Sequence, residues 1–207
     1  MGEDIVFVVE HLEPRLSTWM LLEYRHVSMI VGAGRAVFTN VSRPEWRRLL
    51  SPLGRIYGET VARVFAGKRL LVLDPAADRL LEPGDYDEVD AVVVGGIMGD
   101  HPPRGRTWSL LTARLRNPVI RSLGDRQLSI DGAVYVAYRV WRGARLDEIP
   151  LVEGVELELE PLPGIRRTIR LPFAYPLVGG RPLLAPGLEE HLRRTILYEE
   201  HLFLQGA

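Results

Sequence analysis

Apolar positions along this chain of 207 residues follow two periods, and the switch between them outlines the fold. Ile5 to Val9 is a continuous apolar run of strand length. Met20, Tyr24, Val27 and Val31 then recur at helical spacing, with Ser17 placed as N-cap and Gly32 and Gly34 past the end. Ala36-Val37-Phe38-Thr39 is a second short strand. Residues 43–66 read as helical, broken near Pro52-Leu53-Gly54. Leu70 to Leu73 is a third strand, closed by Asp74-Pro75, and Ala91 to Val94 a fourth. Arg106 to Arg116 suits a helix, Pro118 to Ser122 a fifth strand, and Asp131 to Arg142 another helix. Strands that are apolar throughout are covered on both faces, so this alternation predicts an α/β fold: a parallel sheet with helices on both sides.

The pattern changes after residue 147. Val155, Leu157 and Leu159 alternate with Glu156, Glu158 and Glu160, as in a half-exposed antiparallel strand. Leu162-Pro163-Gly164 reads as a turn, and Ile165 to Arg170 returns with the opposite charge, so facing Glu and Arg would support a hairpin. Leu188, Leu192 and Ile196 mark a C-terminal helix. The expectation is one domain over 1–207, with a core of about 1–147 and a hairpin-and-helix appendage over about 148–207.

Composition narrows the chemistry. Net charge is −1, so no global field points to nucleic acid or membrane. There is no cysteine, which removes disulfides, thiolate metal sites and cysteine nucleophiles. No apolar run reaches the length of a membrane span and no signal peptide is visible, so a cytoplasmic protein is expected. Lys68 is the only lysine among 26 basic residues, and Asn and Gln are scarce beside 15 prolines. That bias fits a heat-adapted source and equally a GC-rich genome. Residues 101–146 hold nine arginines against Asp125 and Asp131, a local charge of about +7 that suits either an RNA-facing surface or a solvated helix face.

Three strand ends carry the candidate chemistry. The stretch Gly95-Gly96-Ile97-Met98-Gly99-Asp100-His101-Pro102-Pro103-Arg104 leaves the fourth strand through three glycines, which let a ligand approach the main chain, and then stiffens at two prolines. Leu73-Asp74-Pro75 and Leu123-Gly124-Asp125-Arg126-Gln127-Leu128 end the neighbouring strands. Open α/β sheets bind ligands at that edge. His11 and His101 come without metal-ligand spacing, so no metal is expected. Trp19, Trp46, Trp108 and Trp141 read as core or rim residues.

These loops, with Val9-Glu10-His11-Leu12-Glu13, Leu22-Glu23-Tyr24 and Leu171-Pro172-Phe173, resemble the SPOUT superfamily of S-adenosylmethionine-dependent methyltransferases. Within it the chain looks most like the fungal SPOUT-type protein arginine methyltransferases and their archaeal relatives. A looser likeness runs to bacterial tRNA guanine methyltransferases, whose third loop has two glycines where this chain has Ile130 and Asp131. The resemblance implies a trefoil knot over roughly residues 70–145. It also implies S-adenosylmethionine held by Leu73, Asp74, Pro75, Gly95, Gly96, Gly99, Leu123, Gly124, Asp125, Arg126, Gln127 and Leu128. A side chain at Gly99 is expected to fill space the ligand needs.

Methyl transfer from a sulfonium chiefly needs a positioned nucleophile and a dry site. A guanidinium holds its protons tightly, so a carboxylate must orient it and help a proton leave. Glu10, Glu13, Glu23, Asp100 and Asp125 are the candidates, with Asp100 and Glu10 favoured as catalytic and Glu13, His101 and Arg104 as substrate-binding. The acceptor implied by resemblance is an arginine of a ribosomal protein. An RNA acceptor, contacted through residues 101–146, and a non-catalytic cofactor-binding ribosome assembly factor are the alternatives. A monomer is favoured over the homodimer usual in the superfamily.

Overall fold

The computed structural model describes residues 5–99, 104–158 and 168–195. Six strands form one parallel sheet: β1 Val6–His11, β2 Ala36–Thr39, β3 Arg55–Ile56, β4 Leu70–Leu73, β5 Ala91–Gly96 and β6 Val119–Arg121. Their order is β3-β2-β1-β5-β4-β6, which places β5 at the centre with β1 and β4 on either side.

Alternate side chains of each strand feed two cores. Phe7, Val9, Leu71, Val92 and Val94 pack under the helices α1, Thr18–Val31, and α5, Ile130–Trp141. Val8, Val37, Leu70, Val72 and Val93 face the other side, where they pack with Val61 of the short helix α3, Val61–Val64, and with Leu111, which follows α4, Arg106–Leu110. Both long helices begin at a serine: Ser17 Oγ accepts the Met20 N–H at 3.2 Å, and Ser129 Oγ accepts the Gly132 N–H at 3.2 Å. Each such cap satisfies a donor that the helix itself cannot.

Two stretches depart from the sequence expectation. Residues 43–66 hold helix at both ends, but a strand comes between the two pieces. Helix α2, Pro44–Leu50, runs into a 3-10 turn, Ser51–Leu53, and Arg55–Ile56 then pairs with β2 as the edge strand. A two-residue strand has too few positions to show a period of two. The helix begun at Arg106 ends at Leu110, and a 3-10 turn, Thr112–Arg114, replaces its continuation, which turns Leu111 and Thr112 inward.

The appendage is a second, antiparallel sheet ordered β7-β8-β9, with β7 Leu151–Glu158, β8 Thr168–Val178 and β9 Arg181–Pro182. Val155 and Leu157 are buried while Glu156 and Glu158 are exposed, as the alternation predicted, and Glu156 stands opposite Arg170. The register shifts between Glu153 and Val155, where Gly154 takes φ +74 beneath the Arg170 guanidinium. Residues 188–195 form α6, whose Leu188 and Leu192 join Val155, Leu157, Leu171 and Tyr175 in a core that also touches Trp19 and Leu22 of α1. The predicted turn at 162–164 and Ile196 lie outside the described residues. Among the described residues no helix is long and apolar enough to cross a membrane.

Candidate active site

The carboxyl ends of β4 and β5, the loop after β6 and the first turn of α5 surround one cleft of about 210 Å³. Leu73, Val94, Ile97, Leu123, Leu128, Ile130 and Ala133 give it apolar surface, and Asp125, Gln127, Arg104, Arg126 and Thr107 give it polar groups. Eleven of the twelve residues expected to hold the cofactor line it: Leu73, Asp74, Pro75, Gly95, Gly99, Leu123, Gly124, Asp125, Arg126, Gln127 and Leu128. The apolar side chains suit an adenine ring, and the polar set suits hydroxyls and an amino acid end, so the residues fit S-adenosylmethionine.

Gly96 is the twelfth, and it faces the other way. A Cβ there would lie 2.4 Å from the Tyr24 hydroxyl and 2.8 Å from the Glu10 carbonyl oxygen. The glycine therefore lets α1 approach the sheet. Gly99 is also packed against protein, since a Cβ would meet Gln127 Nε2 at 2.3 Å and the Phe173 ring at 2.5 Å. The expected clash at Gly99 is thus with the third loop and β8 rather than with open space. Phe173 brings the appendage to the cleft, and Ala174 N–H donates to the Gln127 carbonyl at 2.8 Å beside a bridge between Leu128 and Ala174.

The Asp74 carboxylate is 2% exposed and already committed. It accepts the Thr112 hydroxyl at 2.5 Å and the Ala76 N–H at 2.9 Å. Its main chain, not its carboxylate, is what the cleft can use. Glu13 Oε1 accepts the Met98 N–H at 2.9 Å and Arg106 Nη1–H at 3.0 Å, while Arg106 Nη2–H donates to the Met98 carbonyl. Both polar groups of one residue in the glycine loop are thereby fixed.

Glu10 does not line the cleft. It stands in register between Thr39 and Gly95, and its Oε2 accepts the Thr39 hydroxyl and the Val61 N–H at 2.9 Å. Burial raises its pKa, against the lowering effect of these donors. His11 Nδ1 lies 3.0 Å from the Tyr24 hydroxyl, and burial lowers its pKa. Its Nε2 has no hydrogen-bond partner among the described residues. Glu23 lies between α1 and α5, where Trp19 Nε1–H donates to it at 2.7 Å and the Ile130 N–H at 3.1 Å. Burial and the neighbouring Asp131 push it up to about 8. Asp100 and His101 lie outside the described residues.

Residues 6–199 match the family described as Protein arginine N-methyltransferase SFM1-like. The chain belongs to that family. Protein arginine N-methyltransferase SFM1 of Saccharomyces cerevisiae is 27% identical over 204 residues, spanning 91% of this chain and 94% of the yeast protein. The solved structure of the yeast arginine methyltransferase SFM1 complexed with SAM has a TM-score of 0.80 at 28% identity, covering 92% of this chain and 90% of that one. Dual specific Trm10 from Thermococcus kodakaraensis is 18% identical, with a TM-score of 0.56 over 69% of this chain and 95% of its own, and shares the fold. The SPOUT-type α/β architecture and the arginine methyltransferase expected from sequence are both borne out.

Within this SFM1-like enzyme the arginine-rich segment is partly neutralised. Arg121 grips Asp85 through Nε at 2.9 Å and Nη2 at 2.6 Å, Arg106 pairs with Glu13, and Arg145 pairs with Asp147 at 3.0 Å. Arg104, Arg114 and Arg116 are exposed and make no ion pair among the described residues. Sequence reasoning missed Ile97, Thr107, Ile130 and Ala133 as lining residues, and Thr112 as the partner of Asp74. Thr107 and Thr112 were hidden inside an apparently regular helix.

Proposed function

We propose that this SFM1-like enzyme holds S-adenosylmethionine in the strand-end cleft and methylates an arginine of a ribosomal protein. The observation that carries this reading is the meeting of three separate loops around one cleft in a chain that matches the family almost end to end. The donor supplies a methyl group already activated on a sulfonium. The chain's own residues do the rest. Leu73, Pro75, Gly95 and Leu123 offer main-chain groups and apolar contact to the nucleoside. Asp125 accepts from hydroxyls, and Arg104 or Arg126 pairs with the amino acid carboxylate. Asp100, which follows Gly99 in sequence, orients the guanidinium and takes the proton that leaves as nitrogen gains carbon. Glu10 is the second acid of this reading. Thr39 and Val61 hold its Oε2, and its Oε1 has no hydrogen bond among the described residues.

The reading takes the enzyme as a monomer. A ribosomal acceptor places the enzyme in the cytoplasm. The reading includes the trefoil passage over roughly residues 70–145, supported by the order β5-β4-β6 that carries the chain past β4 before α5 returns to α1. An RNA acceptor is the second reading, favoured by exposed Arg104, Arg114 and Arg116. Purified enzyme, tritiated S-adenosylmethionine and small ribosomal subunits decide between them. Label in the protein fraction, lost in Asp100→Asn, is expected. Label in RNA alone, or in neither fraction, overturns the reading.

A further inference from the structure

Tryptophan faces in this protein serve as seats for guanidinium groups. Arg35 and Arg142 lie over the Trp141 ring, 5.3 and 5.7 Å from its centre, and Arg43 lies over Trp46 at 4.8 Å. Trp19 is held through its indole N–H by Glu23. Trp108 stands apart: it is 51% exposed, with no ring, cation or hydrogen-bond partner among the described residues. The four residues before it, Arg104, Gly105, Arg106 and Thr107, all line the cleft. The tryptophan left open thus directly follows the lining residue Thr107 in the chain.

Resting on the reading of this cleft as the arginine-methylating centre, we infer that Trp108 is the platform on which the acceptor protein lays an arginine-bearing segment while the target side chain enters. Tryptophan gives the strongest π face for a cation, and guanidinium is planar and weakly hydrated, so it stacks more readily than ammonium. The rim already carries Arg104 and Arg126. A carboxylate beside them would be drawn into ion pairs, whereas an uncharged π face attracts the incoming cation without engaging them. Arginine is thereby favoured over lysine before any chemistry occurs.

Two measurements test this. With small ribosomal subunits as acceptor, Trp108→Ala is expected to raise KM about tenfold, with kcat and the affinity for S-adenosylmethionine unchanged, and Trp108→Phe to recover most of the loss. N-acetylarginine amide is expected to quench tryptophan emission in the unaltered enzyme and not in Trp108→Ala, with N-acetyllysine amide weaker. Unchanged KM, a fall in kcat alone, or quenching that survives in Trp108→Ala overturns the inference. So does a Trp108→Ala enzyme whose loss is confined to binding of deproteinised ribosomal RNA, because a nucleic acid base would then be the occupant. If the unaltered enzyme labels no acceptor, the functional reading fails, and the quenching arm still decides whether Trp108 seats arginine.

Discussion

Glu13 and Arg106 meet at 3.0 Å across the base of the glycine loop, and between them they take both the N–H and the carbonyl of Met98. Both side chains are less than a third exposed, so the pair is partly shielded from solvent. Sequence reasoning assigned Glu13 to substrate, whereas its hydrogen bonds among the described residues come from Met98 and Arg106. Glu13→Ala removes the acceptor of the Met98 N–H and one of the partners of Arg106, a cost of about 1–3 kcal/mol. The expected outcome is roughly tenfold weaker binding of S-adenosylmethionine by calorimetry, with Glu13→Gln in between because its amide oxygen still accepts the Met98 N–H.

Gly99 sits where three segments converge, and its missing side chain is what admits Phe173. Gln127 Nε2 is the end of a flexible side chain and can swing away, but the ring at 2.5 and 2.9 Å belongs to a β8 residue tied to the third loop. Gly99→Ala should therefore overpack the back wall, at about 1–3 kcal/mol, and weaken donor binding. In Gly99→Ala combined with Phe173→Ala the two effects should be less than additive, because the second change removes what the first one strikes. Equal donor affinity in Gly99→Ala and the unaltered enzyme would show that the wall yields freely.

Gly96 makes the opposite prediction from three positions away. Its Cβ would strike the Tyr24 hydroxyl and the Glu10 carbonyl oxygen, both inside the protein. Gly96→Ala should lower the urea midpoint, with a loss of about 1–3 kcal/mol, yet leave donor affinity intact in the folded protein. Weakened binding without loss of stability would mean that Gly96 serves the cleft after all.

The strands and the loop cluster were legible because buried parallel strands announce themselves as apolar runs, and Ala36–Thr39 and Leu70–Leu73 match their expected bounds. The cleft followed from the strand ends. Arg55–Ile56 escaped because two residues cannot show a period, and the early end of α4 because Leu111 and Thr112 keep helical spacing while turning to face β4. The roles of the acids were not legible. Asp74, Glu10 and Glu13 look alike in sequence, and only the donors that surround them separate a committed carboxylate from an available one. Phe173 lies far along the chain from Gly99, so no local pattern could place its ring there.

Burial beside Asp131 carries Glu23 from an ordinary 4.5 to about 8, so the folded protein keeps a proton there that the unfolded chain releases. For an acid raised in this way the sign is opposite to that of a salt-bridged carboxylate. The folded state binds more protons between the two values, so stability is greatest below about pH 4.5 for this group and declines as pH rises toward about 8. Above that, both states are ionised and its contribution is flat. Glu10, also raised, adds to the same slope. Glu23→Gln removes the titration but accepts only one of the two donors, Trp19 and Ile130, which costs about 1 kcal/mol. Urea unfolding between pH 5 and 8.5 should therefore show a shallower decline in Glu23→Gln than in the unaltered enzyme, so that the variant becomes the more stable of the two as pH rises. Because Ile130 also lines the cleft, donor affinity in the unaltered enzyme should stay level until pH passes about 8, where folded Glu23 ionises, and should show no such step in the variant. Parallel stability curves would mean that Glu23 is ionised throughout.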